Sequence, residues 1–241
     1  RLYCNFQYHH IMIFYFQQQY SFQNFISMDS KGNYLFKVLV VGCCGAGKTC
    51  CIRKSVFNQF NTEYKVTIGV DFAAKNVKLM HNGKETNVCI QFWDIAGQEY
   101  YSQLSRAYYK GAYGCIIVAD LVSDTLLNDV KIWKEEVSKK VFLPNSDEVV
   151  PTVLLCNKVD LPKAKQVWEN DAIRGELESY EFTKVLATSA VSGQGLDDAL
   201  QILALQIIKK IDGKEKIGQI NGVMVETIDE VKQDQKEKKC C

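Results

Sequence analysis

The stretch GCCGAGKT at residues 42–49 constrains the fold of this chain more than any other feature. It fits the pattern G-x-x-x-x-G-K-[ST], after an apolar run that predicts a buried strand. A helix is expected to begin near Lys48, so the glycines would curl the backbone N–H groups inward at a helix N-terminus. The stretch therefore predicts a phosphate-binding loop, with Lys48 at the β- and γ-phosphates and Thr49 at Mg²⁺.

Two pairs of adjacent cysteines surround the same loop, Cys43-Cys44 and Cys50-Cys51, and they raise the alternative of a thiolate metal site. Zinc ligands usually come as C-x₂₋₄-C pairs on loops that can converge around the metal. Adjacent cysteines point apart, and the second pair would lie inside the helix. We therefore expect Cys43 and Cys44 to be loop residues and Cys50 or Cys51 to pack under the sheet.

Length and composition indicate one cytosolic domain with tails. The chain has 241 residues, 47% of them hydrophobic, and its formal net charge of +1 gives no reason to expect a nucleic-acid partner. Three of its ten cysteines, Cys89, Cys115 and Cys156, fall in apolar, strand-like runs, where a free thiol acts as a small hydrophobic side chain. No apolar run reaches the roughly 18 residues of a membrane span.

The first 27 residues differ in composition from the rest. They begin at Arg1, contain no acidic residue and are rich in Tyr, Phe and Gln. They are either a functional extension or an upstream stretch wrongly joined to a protein that starts at Met28. We assign 1–34 to an N-terminal extension, disordered or an artefact before Met28, 35–211 to the main domain and 212–241 to a flexible tail.

The hydrophobic pattern predicts an α/β domain with a mainly parallel six-stranded sheet, one antiparallel edge strand and helices on both faces. The antiparallel strand comes from a hairpin that turns at Asn82-Gly83. The predicted strands are 35–41, 69–80, 86–94, 115–120, 152–157 and 185–188, and the predicted helices are 48–58, 124–140, 167–179 and 195–211. Ligands of such sheets bind beyond the carboxyl ends of the strands, where Gly42, Asp94, Asp120, Asn157 and Ser189 fall.

The sequence NKVD at 157–160 follows a buried strand and indicates which nucleotide binds. The Asp160 carboxylate could accept two hydrogen bonds from N1–H and the exocyclic amine of guanine, a donor pair that adenine lacks. Sites that depend on such pairing discriminate by about 10⁴ or more. The alternative is a turn rich in Asn and Asp.

The sequence WDIAGQE at 93–99 follows the second strand of the hairpin. Asp94 could bind Mg²⁺ through water, and the Gly97 N–H could bind the γ-phosphate. Gln98 could orient an attacking water. Together with the phosphate loop, these residues predict a nucleotide-hydrolysing site.

In these motifs the chain resembles the Rab family of Ras-like small GTPases. The resemblance covers about 35–211, and its motifs occur in the family's order. They are GCCGAGKT, TIGVDF, WDIAGQE, YYKGA, NKVD, TSA and the final CC. Ile95, with TIGVDFA and VFLPN, is similar to the subfamily of lysosome-related organelles.

The resemblance implies a P-loop NTPase small G domain that binds GTP or GDP with Mg²⁺ and recruits effectors when GTP is bound. It places Thr67 at Mg²⁺ and the γ-phosphate, Phe60 against the guanine, and Phe72, Trp93 and Tyr108 in the aromatic triad that effectors contact. Core packing is the alternative role for the triad. The predicted nucleotide site comprises Gly42, Cys44, Gly45, Ala46, Gly47, Lys48, Thr49, Cys50, Phe60, Thr67, Gly97, Asn157, Lys158, Asp160, Ser189, Ala190 and Val191, with Gln98 and Lys48 as catalytic residues and Thr49, Thr67 and Asp94 (through water) at the metal.

One position departs from the family. The usual Ser-Ala-Lys is Ser189-Ala190-Val191 here, so the Ala190 N–H can still reach guanine O6 but no lysine stem covers the base. We expect weaker nucleotide binding rather than its loss. Cys44 replaces a residue that is usually small, and we expect it to be tolerated.

The resemblance also makes Cys240 and Cys241 a double geranylgeranylation site, which implies stable membrane attachment. Residues 212–239 contain six Lys against seven Asp and Glu, so the lipids would provide most of the attachment. The alternative is an exposed thiol pair. Expected partners are an exchange factor, an activating protein, effectors, a prenylation escort and a GDP-dissociation inhibitor. The expected location is the cytoplasmic face of vesicle, endosomal or lysosome-related membranes, with cycling through the cytosol.

Two other functions fit the phosphate loop less well. An ATP-using enzyme such as a nucleotide kinase would need a lid and an acceptor pocket, and no stretch suggests either. A binding-only pseudo-GTPase would not need Lys48, Thr67 and Gln98, all of which are present.

Overall fold

The computed structural model describes residues 27–28, 34–61, 67, 69–97 and 108–220, with only the backbone described for 27–28 and 214–220. The strands are β1 (Ser27–Met28), β2 (Tyr34–Val41), β3 (Val70–His81), β4 (Lys84–Ile95), β5 (Gly114–Asp120), β6 (Thr152–Asn157) and β7 (Lys184–Ala187). The helices are α1 (Lys48–Phe57), α2 (Leu126–Lys140), α3 (Pro162–Glu169), α4 (Asp171–Ser179) and α5 (Leu196–Ile220).

Six of the seven strands of the sheet lie in the order β3-β4-β2-β5-β6-β7, and the predicted fold class is confirmed. Within this order, all neighbours are parallel except β3 and β4, which form the antiparallel edge hairpin. The turn of this hairpin is Asn82-Gly83, with φ of 49° and 75°, as the primed turn that suits this pair requires. The two-residue strand β1 adds to the prediction: it pairs antiparallel with the start of β2.

The core lies where the central strands meet the helices. Strand β6 is buried along its whole length, which explains its continuous apolar sequence. The predicted apolar stripe of α5 faces the sheet, and each of its members is at most 6% exposed. These are Leu196, Leu200, Leu203, Ile207 and Ile211.

Two helical predictions need correction. The segment predicted as one helix over 167–179 is two helices, because the Asn170 side chain accepts from the N–H groups of Ala172 and Ile173 and begins α4 afresh. Helix α5 continues past its predicted end at 211 to Ile220, into the segment expected to be a flexible tail. Within the described ranges, no helix combines the length and apolar character needed to cross a bilayer.

Candidate nucleotide-binding site

The predicted site residues gather at one edge of the sheet. Strands β2, β4, β5 and β6 are parallel neighbours, so their carboxyl ends share this edge. The loop after β2, the end of β4 and the loops after β6 and β7 supply the side chains described below. The sheet thus brings together residues more than a hundred positions apart in the chain, as Asn157 and Ala46 show.

The phosphate loop has the backbone that its sequence predicts. Gly45 and Gly47 have φ of 78° and 96°, and Gly47 is the N-cap residue of α1. A side chain at Gly47 would clash with the Asn157 amide, so the loop tolerates only glycine there. Gly97 packs similarly: a Cβ would lie 2.5 Å from the Cys44 nitrogen, which places the end of β4 against the loop backbone.

Lys48 lies inside this loop. Its Nζ donates to the carbonyl oxygens of Gly42 at 2.8 Å and Cys43 at 3.0 Å, and the residue is 6% exposed. Burial lowers the pKa of Lys48, and the nearby Asp94 carboxylate opposes this effect. The loop therefore presents a cation next to its backbone N–H groups, which suits an anion.

Thr49, Thr67 and Asp94 form a second cluster beside the loop. The Thr49 Oγ1 lies 2.8 Å from that of Thr67 and donates to Asp94 Oδ2 at 2.5 Å. Asp94 is 2% exposed, its Oδ1 has no hydrogen-bond partner among the described residues, and burial raises its pKa to about 6. A buried carboxylate with a free oxygen next to two hydroxyls fits a hard divalent cation such as Mg²⁺.

Three of the four cysteines around the loop, Cys43, Cys50 and Cys51, pack in or against the hydrophobic core. Cys51 is 4% exposed in the core, so the prediction that Cys50 or Cys51 packs under the sheet is confirmed. Cys43 accepts a hydrogen bond from Trp133 Nε1 at 3.4 Å, and Cys44 is exposed. All seven cysteines of the described part are free thiols.

Asn157 joins the phosphate loop to the turn after β7. Its amide donates to the Ala46 carbonyl at 2.9 Å, and its Oδ1 accepts from the Ala190 N–H at 3.1 Å. The residue is 1% exposed and both ends of its amide are bonded. The N–H predicted to reach guanine O6 is therefore donated to Asn157 here, and a base would have to share it.

Asp160 is the residue of this site that is predicted to hydrogen-bond guanine. Its Oδ1 accepts from the Ser189 hydroxyl at 2.5 Å, which orients the carboxylate. Val191, where the family has lysine, is 46% exposed. Asp160 is also exposed.

Lys158 forms an ion pair that its sequence motif does not predict. Its backbone is in the left-handed region, with φ of 72°, and its Nζ pairs with Asp120 Oδ2 at 2.6 Å. The sequence placed Asp120 at the end of β5 but indicated no partner for it, since no motif contains it. The Trp133 contact to Cys43 had no sequence signal at all.

The three rings of the predicted aromatic triad lie next to one another. The rings of Phe72 and Trp93 meet edge to face with centroids 4.6 Å apart, and Tyr108 lies 6.5 Å from Trp93. Phe72 is 36% exposed, whereas Trp93 and Tyr108 are half-buried. The triad is therefore both a packed cluster and partly accessible. Phe60, predicted to contact guanine, is 40% exposed.

Some predicted positions lie outside the described residues. They are Gln98, most of the segments 61–69 and 97–108, residues 1–26, and Cys240 with Cys241.

Comparison with known proteins agrees with this geometry. Residues 37–209 match the family model described as the Ras family. The chain is 35% identical to the Ras-related protein Rab-32A of Dictyostelium discoideum over 202 residues, which cover 80% of this chain and 91% of that protein. Identity is 38% to Rab-32 of Sus scrofa over 176 residues (73% and 75%) and 34% to Rab-7L1 of Homo sapiens over 177 residues (73% and 84%).

Proposed function

Because this chain belongs to the Rab branch of the Ras family of small GTPases, we propose that it is a membrane-attached GTP/GDP switch that recruits effectors. As a Rab small GTPase it binds GTP and GDP, hydrolyses GTP to GDP and phosphate, and acts in vesicular trafficking. The residue roles, the metal and the membrane anchor are the proposed part.

The observation that carries the proposal is the Asn157 bridge. One side chain ties the phosphate loop to the turn beside Asp160, so the phosphate and base subsites have a fixed separation. A nucleotide of one length and one base would then satisfy both subsites together. The ordered Asp160 carboxylate supports guanine over adenine, because adenine would leave a polar oxygen unpaired.

The hydrolytic roles follow from the two clusters beside the loop. Lys48 and the loop N–H groups would bind the β- and γ-phosphates, while Thr49, Thr67 and Asp94 would provide the ligands of Mg²⁺. The ion would neutralise charge on the phosphate oxygens during transfer. Gln98 would orient the attacking water, and an activating protein would supply the remaining transition-state groups.

The switch would depend on the segments that meet the γ-phosphate. Gly97, the first residue of 97–108, lies against the Cys43–Cys44 backbone. Thr67, within 61–69, is hydrogen-bonded to Thr49. Each segment therefore has one residue at the site. GTP would order these two segments and hydrolysis would release them. Phe72, Trp93 and Tyr108 lie next to them and would form the effector surface.

Membrane attachment would come from geranylgeranyl groups on Cys240 and Cys241. Two lipid chains anchor a protein stably to a membrane, whereas one lipid chain binds it reversibly. The partners would be an exchange factor, an activating protein, effectors, a prenylation escort and a GDP-dissociation inhibitor. The site of action would be the cytoplasmic face of vesicle, endosomal or lysosome-related membranes, which Ile95 and VFLPN support.

Nucleotide competition and phosphate release test this function together. GTP and GDP should displace a fluorescent GDP from the protein. The concentrations needed should be lower than the ATP concentration needed by a factor of about 10³ or more. Phosphate release from GTP should fall in Gln98→Leu while GTP affinity stays near that of the parent. Equal displacement by ATP and GTP would refute the base assignment and favour an ATP-using enzyme. Equal phosphate release by parent and variant would refute the role of Gln98.

A further inference from the structure

Lys37 is a lysine in the middle of the apolar strand β2, and its ammonium lies against the aromatic triad. The Nζ atom is 3.6 Å from the centroid of the Trp93 ring. The same Nζ donates to the carbonyl oxygen of Lys110 at 2.8 Å. A cation over an indole face is attracted by the ring quadrupole, most strongly when both are shielded from water.

The backbone of Lys37 binds the same region as its side chain. Its carbonyl oxygen accepts from the Tyr113 N–H at 2.9 Å. The residues that Lys37 contacts at 110 and 113 follow directly after the segment 97–108, which ends at Tyr108 of the triad. Lys37 therefore connects the Trp93 ring with the residues that follow the segment 97–108.

Trp93 is the middle ring of the triad, so its orientation affects both others. Phe72 meets it edge to face at 4.6 Å, and Tyr108 lies on the other side at 6.5 Å. Lys37 occupies one face of the indole. A change in this contact would let the middle ring tilt and would alter the surface made by all three.

We infer that Lys37 is a positioning residue for the Phe72–Trp93–Tyr108 surface and that it performs this role only as an ammonium. The inference rests on the proposed function for the statement that this surface binds effectors. The positioning itself rests on the two Nζ contacts and on the place of Trp93 between the other rings. A neutral amine would still reach the Lys110 carbonyl but would lose the attraction to the indole face.

The protonation state of Lys37 is sensitive to conditions near neutrality. Burial lowers its pKa from 10.5 to about 7, while the ring face and the carbonyl favour the charged form. No carboxylate of the described part lies within ion-pair distance of its Nζ. The titratable residues that Lys37 contacts are Lys110 and Tyr113, each through a backbone atom, and its register partner on β4 is the neutral Gln91. The ammonium should therefore fix the triad below about pH 7 and release it above.

Fluorine NMR of the full chain in its GDP form, labelled with 5-fluorotryptophan, tests this inference. The chain has three tryptophans, and Trp93→Phe assigns the resonance of interest. Between pH 5.5 and 9 the Trp93 resonance should move with a single midpoint near 7, whereas those of Trp133 and Trp168 should stay. A Trp93 resonance that does not move across this range would overturn the inference.

Three variants separate positioning from simple packing. Lys37→Met should lose the midpoint, and Lys37→Arg should keep the resonance at its low-pH position throughout, because guanidinium stays charged. Lys110→Gln is the matched control: it keeps the carbonyl that Lys37 uses, so the midpoint should remain. An unchanged midpoint in Lys37→Met or in Lys37→Arg would contradict the inference even if the other variant failed to fold.

Nucleotide binding of the same samples distinguishes this inference from the proposed function. Lys37→Met and Lys37→Arg should bind GDP within about twofold of the parent, since Lys37 touches no predicted nucleotide ligand. A tenfold loss would place Lys37 in the nucleotide site and overturn its assignment to the triad. If the parent bound no guanine nucleotide, the proposed function would fail while the pH response of Trp93 would still support the positioning role.

Discussion

At the scale of single residues, hydrogen-bonded polar side chains connect the subsites. Asn157 has both ends of its amide engaged, and Asp160 is oriented by Ser189. A buried polar group that loses its partner costs about 1–3 kcal/mol, so such residues tolerate little change. Substitutions that keep the shape but exchange donor for acceptor are the most informative here.

Asp160→Asn should move the preference from GTP to xanthosine triphosphate. The amide oxygen could still accept from Ser189, while the amide N–H could donate to the base oxygen that replaces the guanine amine. Losing hydrogen bonds to a charged group should weaken GTP binding by roughly 10- to 100-fold. Competition between the two nucleotides measures this, with Asp171→Asn on the surface as a control. Retained GTP preference in Asp160→Asn would remove this residue from the base site.

Val191→Lys should slow the release of GDP. The lysine stem would cover the base and bury apolar area that the exposed Val191 does not, worth about 1 kcal/mol or roughly fivefold in rate. Displacement of a fluorescent GDP by excess unlabelled GDP measures the rate. Ser192→Lys places the same charge one residue away and should have little effect. Equal release by parent and Val191→Lys would mean that this side chain does not reach the base.

At the scale of helices and strands, the close approach of α5 to β5 fixes part of the core. A Cβ at Gly114 would lie 2.9 Å from Ile207 Cδ1 and 3.2 Å from Leu203 Cδ1. Gly114→Ala should therefore lower the free energy of unfolding by about 1–3 kcal/mol through overpacking. Urea denaturation with GDP at a fixed concentration measures this loss.

Gly175→Ala is the matched control in helix α4, where a Cβ would meet nothing within 4 Å. This change should be neutral or stabilise by up to about 1 kcal/mol, because alanine favours helix more than glycine does. If both variants were equally stable, the packing of α5 against Gly114 would be looser than described.

The elements that could be predicted from the sequence are those with a strong hydrophobic pattern. Strand β6 was predicted at its observed bounds, since burial on both faces demands a continuous apolar run. The break at Asn170 was missed, because both flanking segments favour helix and only the orientation of the Asn170 side chain separates them. The end of α5 was missed because residues 212–220 carry no apolar stripe.

The residues of the candidate site also fall into those that the sequence predicts and those that it does not. Residues within motifs could be predicted, because parallel strand ends must share one edge of the sheet. Asp120 could be placed at this edge, but its pairing with Lys158 could not be predicted, and neither could the contact of Lys37 with Trp93, since no spacing encodes these contacts. Long-range pairs of this kind require coordinates.

At the scale of the whole molecule, the near-neutral charge makes lipid the expected source of membrane affinity. Each buried lipid carbon contributes about 0.8 kcal/mol, which exceeds what a tail of net charge −1 can provide. Cys240→Ser combined with Cys241→Ser should leave a folded, active GTPase in the cytosol. Membrane fractionation compares this variant with the parent. The control is a variant with Gln in place of Lys236, Lys238 and Lys239. This variant should still pellet with membranes.

A double-serine protein that pelleted like the parent would show that something other than the two cysteines anchors the chain. The aromatic residues before Met28 would then be the first segment to delete. A single Cys→Ser change should leave partial membrane attachment, because one lipid chain binds a membrane reversibly.

Hydrogen exchange in the two nucleotide states tests whether this chain is a nucleotide switch. Peptides covering 61–69 and 97–108 should exchange more slowly with a non-hydrolysable GTP analogue and Mg²⁺ than with GDP, while β6 should exchange equally in both states. Equal exchange of both segments in the two states would contradict the claim that this chain is a nucleotide switch.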